Sequence, residues 1–311
     1  MTSPLADTES FAAAPPSAPP PVGPALENEL LHRAGTGNWR ALQDLGMSLE
    51  PVFEAARPWA EALRGVERPW LCWNVDSDWC LVQQRLVSLV GWTPVVGWDP
   101  RVGRPELVPG AIPIDFNADL KLPVLWLHFP LEFVFLFADR LAFWHADLMV
   151  RKENMRAYAA RFAALADGAM IVTDPKIGWR HRFTVRGRRY WELVGCTTRG
   201  ASRSQFEQGA GWWMNFQKHP NCPSEAERQR RAPYYWDCGA GIFYWHKRLG
   251  GDVGFIPESE VEEGHCSRIH NPRYKPVSPD NERRNLSVDL RHNYDLRDVC
   301  AQMGVADLVA G

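Results

Sequence analysis

His145 and Asp147 stand two residues apart near the end of the apolar run 141–150 (LAFWHADLMV). An imidazole nitrogen and a carboxylate oxygen both serve as ligands to a divalent cation. On an extended strand, residues i and i+2 project to the same face, so the pair can address one ion. Polar side chains in an otherwise apolar strand carry a desolvation cost, which favours a use for them. The competing reading is a strand exit in which Asp147 caps the chain that follows and His145 packs. A third ligand is on offer further along, where Gly264-His265-Cys266-Ser267-Arg268-Ile269-His270 supplies His265 and His270.

A His-x-Asp pair with a distant histidine is also the facial triad of non-haem Fe(II) oxygenases. Those enzymes carry it in a double-stranded β-helix, where strands follow the motif. Here a long helical segment follows and two βα units precede, an order that argues against the oxygenase. A structural zinc site has its own candidates in His219, Cys222, Cys238, His246, His265 and Cys266. There is no Cys-x-x-Cys pair among them, and only His219-x-x-Cys222 has familiar ligand spacing. Seven scattered cysteines read more simply as small buried hydrophobes. The chain has no Gly-x-Ser-x-Gly elbow, no Walker A motif and no Gly-x-Gly-x-x-Gly after the first strand, so several common α/β chemistries are set aside.

The elements that must position these residues follow from periodicity and turn signals. Residues 1–27 are rich in Pro, Ala and Ser and read as a disordered leader. Amphipathic helices over 28–44 and 50–64 form a helical cap, spanning 28–66. Strands are expected over 69–75, 93–98, 111–116, 141–150 and 169–173. Helices are expected over 78–90, with Asp78 as N-cap, over 124–139, and over 153–166, closed by Gly168. The second half is less regular: a strand over 188–196, a partly helical 202–218, a short helix over 225–231, a Gly-rich turn at 238–241 leading into 242–248, and a terminal helix over 290–303. Strands alternating with helices imply βαβ units and a largely parallel sheet. Ligands of such sheets bind at the carboxyl ends of strands. That rule directs attention to Asp76, Asp99, Asp115 and the pair His145 and Asp147. No internal repeat is present.

Composition limits the partners. In 311 residues, 45% are hydrophobic and 23% charged, with a formal net charge of -2. That balance argues against a nucleic-acid partner bound mainly through its phosphates. Basic runs at 180–189 and 228–231 read as solvated surface or as an anion site, for example for a diphosphate. No stretch of about 18 uninterrupted apolar residues suggests a membrane span. No secretory signal opens the chain, so a reducing, cytoplasmic location is expected. The 15 tryptophans serve either a core or a surface that stacks sugar or base rings.

The run 140–175 (RLAFWHADLMVRKENMRAYAARFAALADGAMIVTDP) resembles the metal-binding strand, crossover helix and following strand of the GT-A-fold nucleotide-sugar glycosyltransferases. His145-Ala146-Asp147 stands where that family usually has Asp-x-Asp. The segment 234–248 (YYWDCGAGIFYWHKR), with 254–256 and the histidine-rich cluster after it, is similar to the acceptor side of inverting members, where an aromatic and glycine turn precedes a helix and a later histidine completes the metal shell. The Gly-Gly-Glu-Asp core of the galactosyltransferase version is not present. The likeness covers roughly residues 69–275 as a pattern of elements with short motifs.

The resemblance implies an α/β GT-A-like fold, a mixed and mostly parallel sheet flanked by helices. The catalytic domain would span 67–311, with the nucleotide and metal in 67–175 and the acceptor in 176–311. It implies metal-dependent sugar transfer from a nucleotide-sugar to a glycan, protein or small-molecule acceptor. Mn²⁺ or Mg²⁺ would be held by Asp147 and His145 with either His265 or His270. Asp237 would be the general base, with Glu260 and Glu258 behind it. Asp76 or Asp99 would contact the nucleotide's base or ribose, Arg180 and Arg182 its phosphates, and Trp212, Trp213 and Trp236 the sugars. Two alternatives stay open: an Fe(II)/2-oxoglutarate oxygenase built on His145, Asp147 and His265 or His270, and a GT-A-like binding protein that has lost catalysis.

Overall fold

A computed structural model of the chain describes residues 50–74, 76–98, 103–115, 128–174, 189–208, 210, 238–266 and 295–310. The expected leader, the helix over 28–44 and the short helix over 225–231 lie outside them. Within the described residues the apolar runs form one seven-stranded sheet with helices on both faces. In chain order the elements begin with α1 (Glu50–Ala62), β1 (Pro69–Trp73), α2 (Ser77–Leu89), β2 (Thr93–Gly97), β3 (Ile112–Ile114), α3 (His128–Glu132) and β4 (Arg140–Trp144). They continue with α4 (Lys152–Ala163), β5 (Ala169–Asp174), β6 (Trp191–Thr198), α5 (Arg199–Glu207), α6 (Cys238–Arg248), β7 (Asp252–Pro257), α7 (Leu296–Gln302) and α8 (Asp307–Ala310).

Period-two alternation explains why central strands look apolar throughout. Leu71, Trp73, Leu141 and Phe143 join the core under α1, α5 and α6. Their neighbours Trp70, Cys72, Ala142 and Trp144 join a second core under α2, α4 and α7. A strand covered on both faces has no polar side to show. The tryptophans of the described residues belong mostly to this packing: Trp59 meets Phe137 edge-on at 5.3 Å, and Trp70 contacts Trp92, Trp144 and Phe162 at 5.2–5.3 Å. Cys72, Cys80, Cys196, Cys266 and Cys300 are free and buried, as their scatter suggested.

The strand order is β3-β2-β1-β4-β6-β5-β7. β1 pairs parallel with β2 and β4, and β5 parallel with β7, while β6 runs antiparallel to both its neighbours. The fold is therefore α/β with a mixed, mostly parallel sheet. The chain moves outward from β1 through β2 to β3, then returns to the other side of β1 to form β4. That reversal is a topological switch point, and open α/β sheets bind ligands beyond the carboxyl ends of the two strands flanking it.

Several boundaries differ from expectation, each for a local reason. The strand over 141–150 stops at Trp144, and His145 begins a turn. The N-cap of α2 is Asp76 and not Asp78, since the Asp76 Oδ1 accepts from the backbone N–H groups of Asp78 and Trp79. Helix 153–166 ends at Ala163 because the Arg140 guanidinium takes the carbonyls of Phe162 and Ala163. Gly168, with φ of 89°, turns the chain into β5 instead of capping that helix. Of the helix expected over 124–139, the described residues form α3 and a 3-10 turn (Val134–Leu136), with Leu131 to Ala138 buried. The residues 238–241 form the first turn of α6 and not a separate loop; the Gly239 carbonyl lies close enough to β6 to accept from Tyr190 N–H at 3.0 Å. The strand over 188–196 runs instead from Trp191 to Thr198, and β7 is an additional edge strand.

Candidate metal centre

β4 delivers His145 to the switch point, and a network of backbone hydrogen bonds then folds the next residues into a fixed turn. His145 N–H still donates across the ladder to Leu193 O at 2.9 Å, and Leu148 N–H closes the turn on His145 O at 3.2 Å. Gln83, wholly buried on α2, donates its Nε2 to His145 O at 2.8 Å and to Leu148 O at 2.9 Å. One amide thereby satisfies two carbonyls that a continuing strand would otherwise have to pair. Expectation placed His145 and Asp147 on one face of a strand; the structure brings them together through this turn.

The third residue arrives from the far side of the sheet. After β7 two 3-10 turns (Glu258–Glu260 and Glu262–Gly264) carry the chain back across the carboxyl ends. Met149 N–H donates to Gly264 O at 3.0 Å and Cys266 N–H to Asp147 O at 2.9 Å, so Leu148 and His265 form an antiparallel bridge. Gly264 is needed for this approach: a Cβ there would lie inside van der Waals contact of the Met149 carbonyl oxygen.

The bridge places His265 Nε2 and His145 Nδ1 each 3.6 Å from the same oxygen, Asp147 Oδ1. Ligand atoms from the three residues all lie within 4.8 Å of one another. A separation of 3.6 Å is too long for a hydrogen bond. It matches the edge of a ligand shell, because donors about 2.1 Å from a tetrahedral ion sit about 3.4 Å apart. The donor set of two imidazoles and one carboxylate therefore suits a divalent transition ion in chemistry, and the two spacings to Asp147 suit it in distance. The three side chains are half-buried, which leaves an approach from solvent.

The two imidazoles are driven in opposite directions. Burial pulls His145 down, but the Asp147 carboxylate beside it, with Glu192 behind, outweighs that and raises it, against the opposing charge of Arg189. Burial lowers His265, and the nearby His145 adds to this against the pull of Asp147 and Glu192. The same carboxylates thus favour the charged form of His145 more than that of His265.

The structure unites His145, Asp147 and His265 and adds two residues that sequence reading missed, Glu192 and Arg189. Glu192 was detectable as an acidic residue inside the apolar strand WELVGC, and Arg189 closes the basic run 180–189. Asp76 lies beyond β1, where its Oδ1 caps α2. Glu258 and Glu260 fall on the turn after β7; Glu260 is exposed and works against α4, where its carbonyl accepts from Asn154 and its carboxylate acts on Tyr158. Neither glutamate is among the charges acting on the two histidines. Asp99, Arg180, Arg182, Trp212, Trp213, Trp236, Asp237 and His270 lie outside the described residues, as do His219 and Cys222. Cys266 neighbours His265, but burial pushes its thiol up to about 12, which disfavours the thiolate a metal requires. No protein-family model, no curated protein and no solved structure matches this chain.

Proposed function

We propose that this chain is a metal-dependent glycosyltransferase of GT-A-like fold, moving a sugar from a nucleotide-sugar to an acceptor hydroxyl. The observation that carries the reading is the convergence of His145, Asp147 and His265 at the carboxyl end of β4, beside the switch point of a mostly parallel sheet. This agrees with the likeness of 140–175 to the metal-binding strand, crossover helix and following strand of that family, and with its late histidine. A divalent ion held by these three residues supplies Lewis-acid stabilisation of a leaving diphosphate. Arg189, whose charge reaches His145, offers a fixed cation for the same phosphates. The turn held by Gln83 keeps His145 and Asp147 in one arrangement, so little reorganisation is needed when charge develops. Asp237 is the base this reading assigns to the acceptor side. The donor set alone also suits an Fe(II) oxygenase, but a mostly parallel sheet with helices on both faces is not the double-stranded β-helix of those enzymes.

The test is a thermal-shift panel of UDP, GDP and CDP, each with and without Mn²⁺, on the wild-type chain and on Asp147→Ala. A metal-dependent rise with one nucleotide, lost in the variant, is the expected result and identifies the donor class. A rise with Fe(II) and 2-oxoglutarate, and none with any nucleotide, overturns the proposal in favour of an oxygenase. No response to either set points to a scaffold without this catalysis.

A further inference from the structure

The His145 ring meets carboxylates on two opposite edges. Its Nδ1 faces Asp147 Oδ1 at 3.6 Å, and its Nε2 lies 4.0 Å from Glu192 Oε1. Glu192 is held in place by the ladder. β6 pairs Val194 with Trp144, and Leu193 O accepts the His145 N–H, so Glu192 stands across from the point where β4 leaves the sheet. Its side chain is only 10% exposed. A carboxylate kept this far from water in an apolar strand is costly unless it faces a donor or a cation. The His145 Nε2, 4.0 Å from its Oε1, is one group it faces.

Metal-bound histidines commonly donate the remaining ring N–H to a carboxylate, which fixes the tautomer and raises the basicity of the ligating nitrogen. Asp147 on the Nδ1 edge and Glu192 on the Nε2 edge match those roles, although the 4.0 Å gap to Glu192 must close on ion binding before a hydrogen bond forms. The ligand set also selects the ion. Mg²⁺ prefers an octahedral shell of oxygens and gives up water reluctantly. Two imidazoles with one carboxylate suit first-row transition ions, for which affinity rises toward the right of the series.

We infer that Glu192 is the outer carboxylate of this centre, orienting His145 so that Nδ1 faces the ion, and that the centre takes Zn²⁺ in preference to Mn²⁺ and rejects Mg²⁺. The inference rests on the metal-dependent reading above, although not on the sugar transfer itself. Glu192 is a positioning residue here, since it acts through His145.

The test uses the full chain, stripped with chelator and titrated calorimetrically with Zn²⁺, Mn²⁺ and Mg²⁺. The expected affinity order is Zn²⁺, then Mn²⁺, with Mg²⁺ far weaker. Glu192→Gln keeps the size of the side chain and is expected to lower Zn²⁺ affinity by roughly 10–100-fold, with the melting temperature of the ion-free protein unchanged. A long-range ¹H–¹⁵N spectrum of the Zn²⁺-loaded wild type needs no variant, and is expected to place the His145 proton on Nε2. A proton on Nδ1, an unchanged Zn²⁺ affinity in Glu192→Gln, or Mg²⁺ binding as tight as Zn²⁺ overturns the inference while leaving a metal-dependent enzyme intact. A wild-type chain that binds none of the three ions, or an Asp147→Ala chain that binds them unaltered, removes the metal centre and the proposed function with it.

Discussion

Gln83 shows how much of this site depends on a residue that carries no chemistry. Its amide holds the carbonyls of His145 and Leu148, and it is wholly buried on α2. Replacing it with leucine keeps the bulk but removes the donor to the buried Leu148 carbonyl, at about 1–3 kcal/mol, and leaves the His145 carbonyl with only the Leu148 N–H. We expect Gln83→Leu to lower stability by about 1–3 kcal/mol in urea unfolding, and to weaken ion binding because the turn that holds His145 loses its anchor on α2. Stability within about 0.5 kcal/mol of wild type would show that the turn stands without it. Gly264→Ala acts on the other half of the site. The added methyl collides with backbone at Met149, which cannot swing away like a side-chain tip. The bridge that presents His265 must open, so calorimetric titration of this variant is expected to show lost ion affinity along with a lowered melting temperature. Neither residue stands out in the sequence. A glutamine on a helix reads as solvent-facing, and nothing local announces that residue 264 will meet residue 149.

Among the elements, α6 has a clamp whose strength depends on pH. Tyr190, at the entry to β6, receives the helix twice: its N–H donates to Gly239 O in the first turn, and its hydroxyl lies 2.7 Å from His246 Nδ1 in the last. The neutral ring can accept from the tyrosine hydroxyl at Nδ1, whereas the protonated ring can only donate to it, so protonation reverses the bond at a partly buried site. Burial, aided by Lys247, lowers the pKa of His246, with Asp252 opposing. A histidine lowered on folding contributes stability that is fully present above its unfolded value, near 6.5, and is lost as pH falls through that value toward the folded one. We therefore expect the urea midpoint to fall between about pH 7.5 and about pH 5, with a smaller fall in His246→Gln. Equal falls in both proteins would assign the slope to other groups, including His145 and His265.

The same scale shows what sequence could yield. β1, β2, β5 and α2 were legible because strong periodic runs end at turn signals close to their observed limits. β4 was read too long because LMV continues the apolar pattern after the backbone has turned; the Leu148 N–H bond to His145 O and the Gln83 contacts from α2 distinguish that turn from a strand. β7 escaped notice because an edge strand with one short apolar patch, DVGFIP, has little alternation to detect. His145, Asp147 and His265 were named from residue type and spacing. That His265 is the histidine brought to the pair follows from long-range bridging at Leu148, which no local pattern encodes.

For the molecule as a whole, a metal centre here would join parts of the sheet that sequence separates widely. β4 lies in the middle of the strand order and β7 at its edge, yet His265, carried on the segment after β7, shares Asp147 with His145 at the end of β4. Besides the two bridging backbone hydrogen bonds and the Asn154 contact with Glu260, the return path is tied to the start of α4 by the exposed ion pair of Arg151 with Glu263, and pairs of that kind contribute little. Among the described residues no helix is long and apolar enough to cross a membrane. An ion that binds only the folded chain stabilises it by about 2.7 kcal/mol at a free concentration about one hundred times its dissociation constant. For a domain of this size that corresponds to a rise of about 5–10 °C in melting temperature. We expect Zn²⁺ at that level to produce such a rise in the wild type, chelator to reverse it, and Asp147→Ala to show neither effect. Because the ion links the centre of the sheet to the segment beyond its edge, hydrogen exchange should slow most at the amides of Met149 and Cys266, which carry the bridge. Protection confined to other regions would mean that the ion sits elsewhere, whatever the melting curve shows.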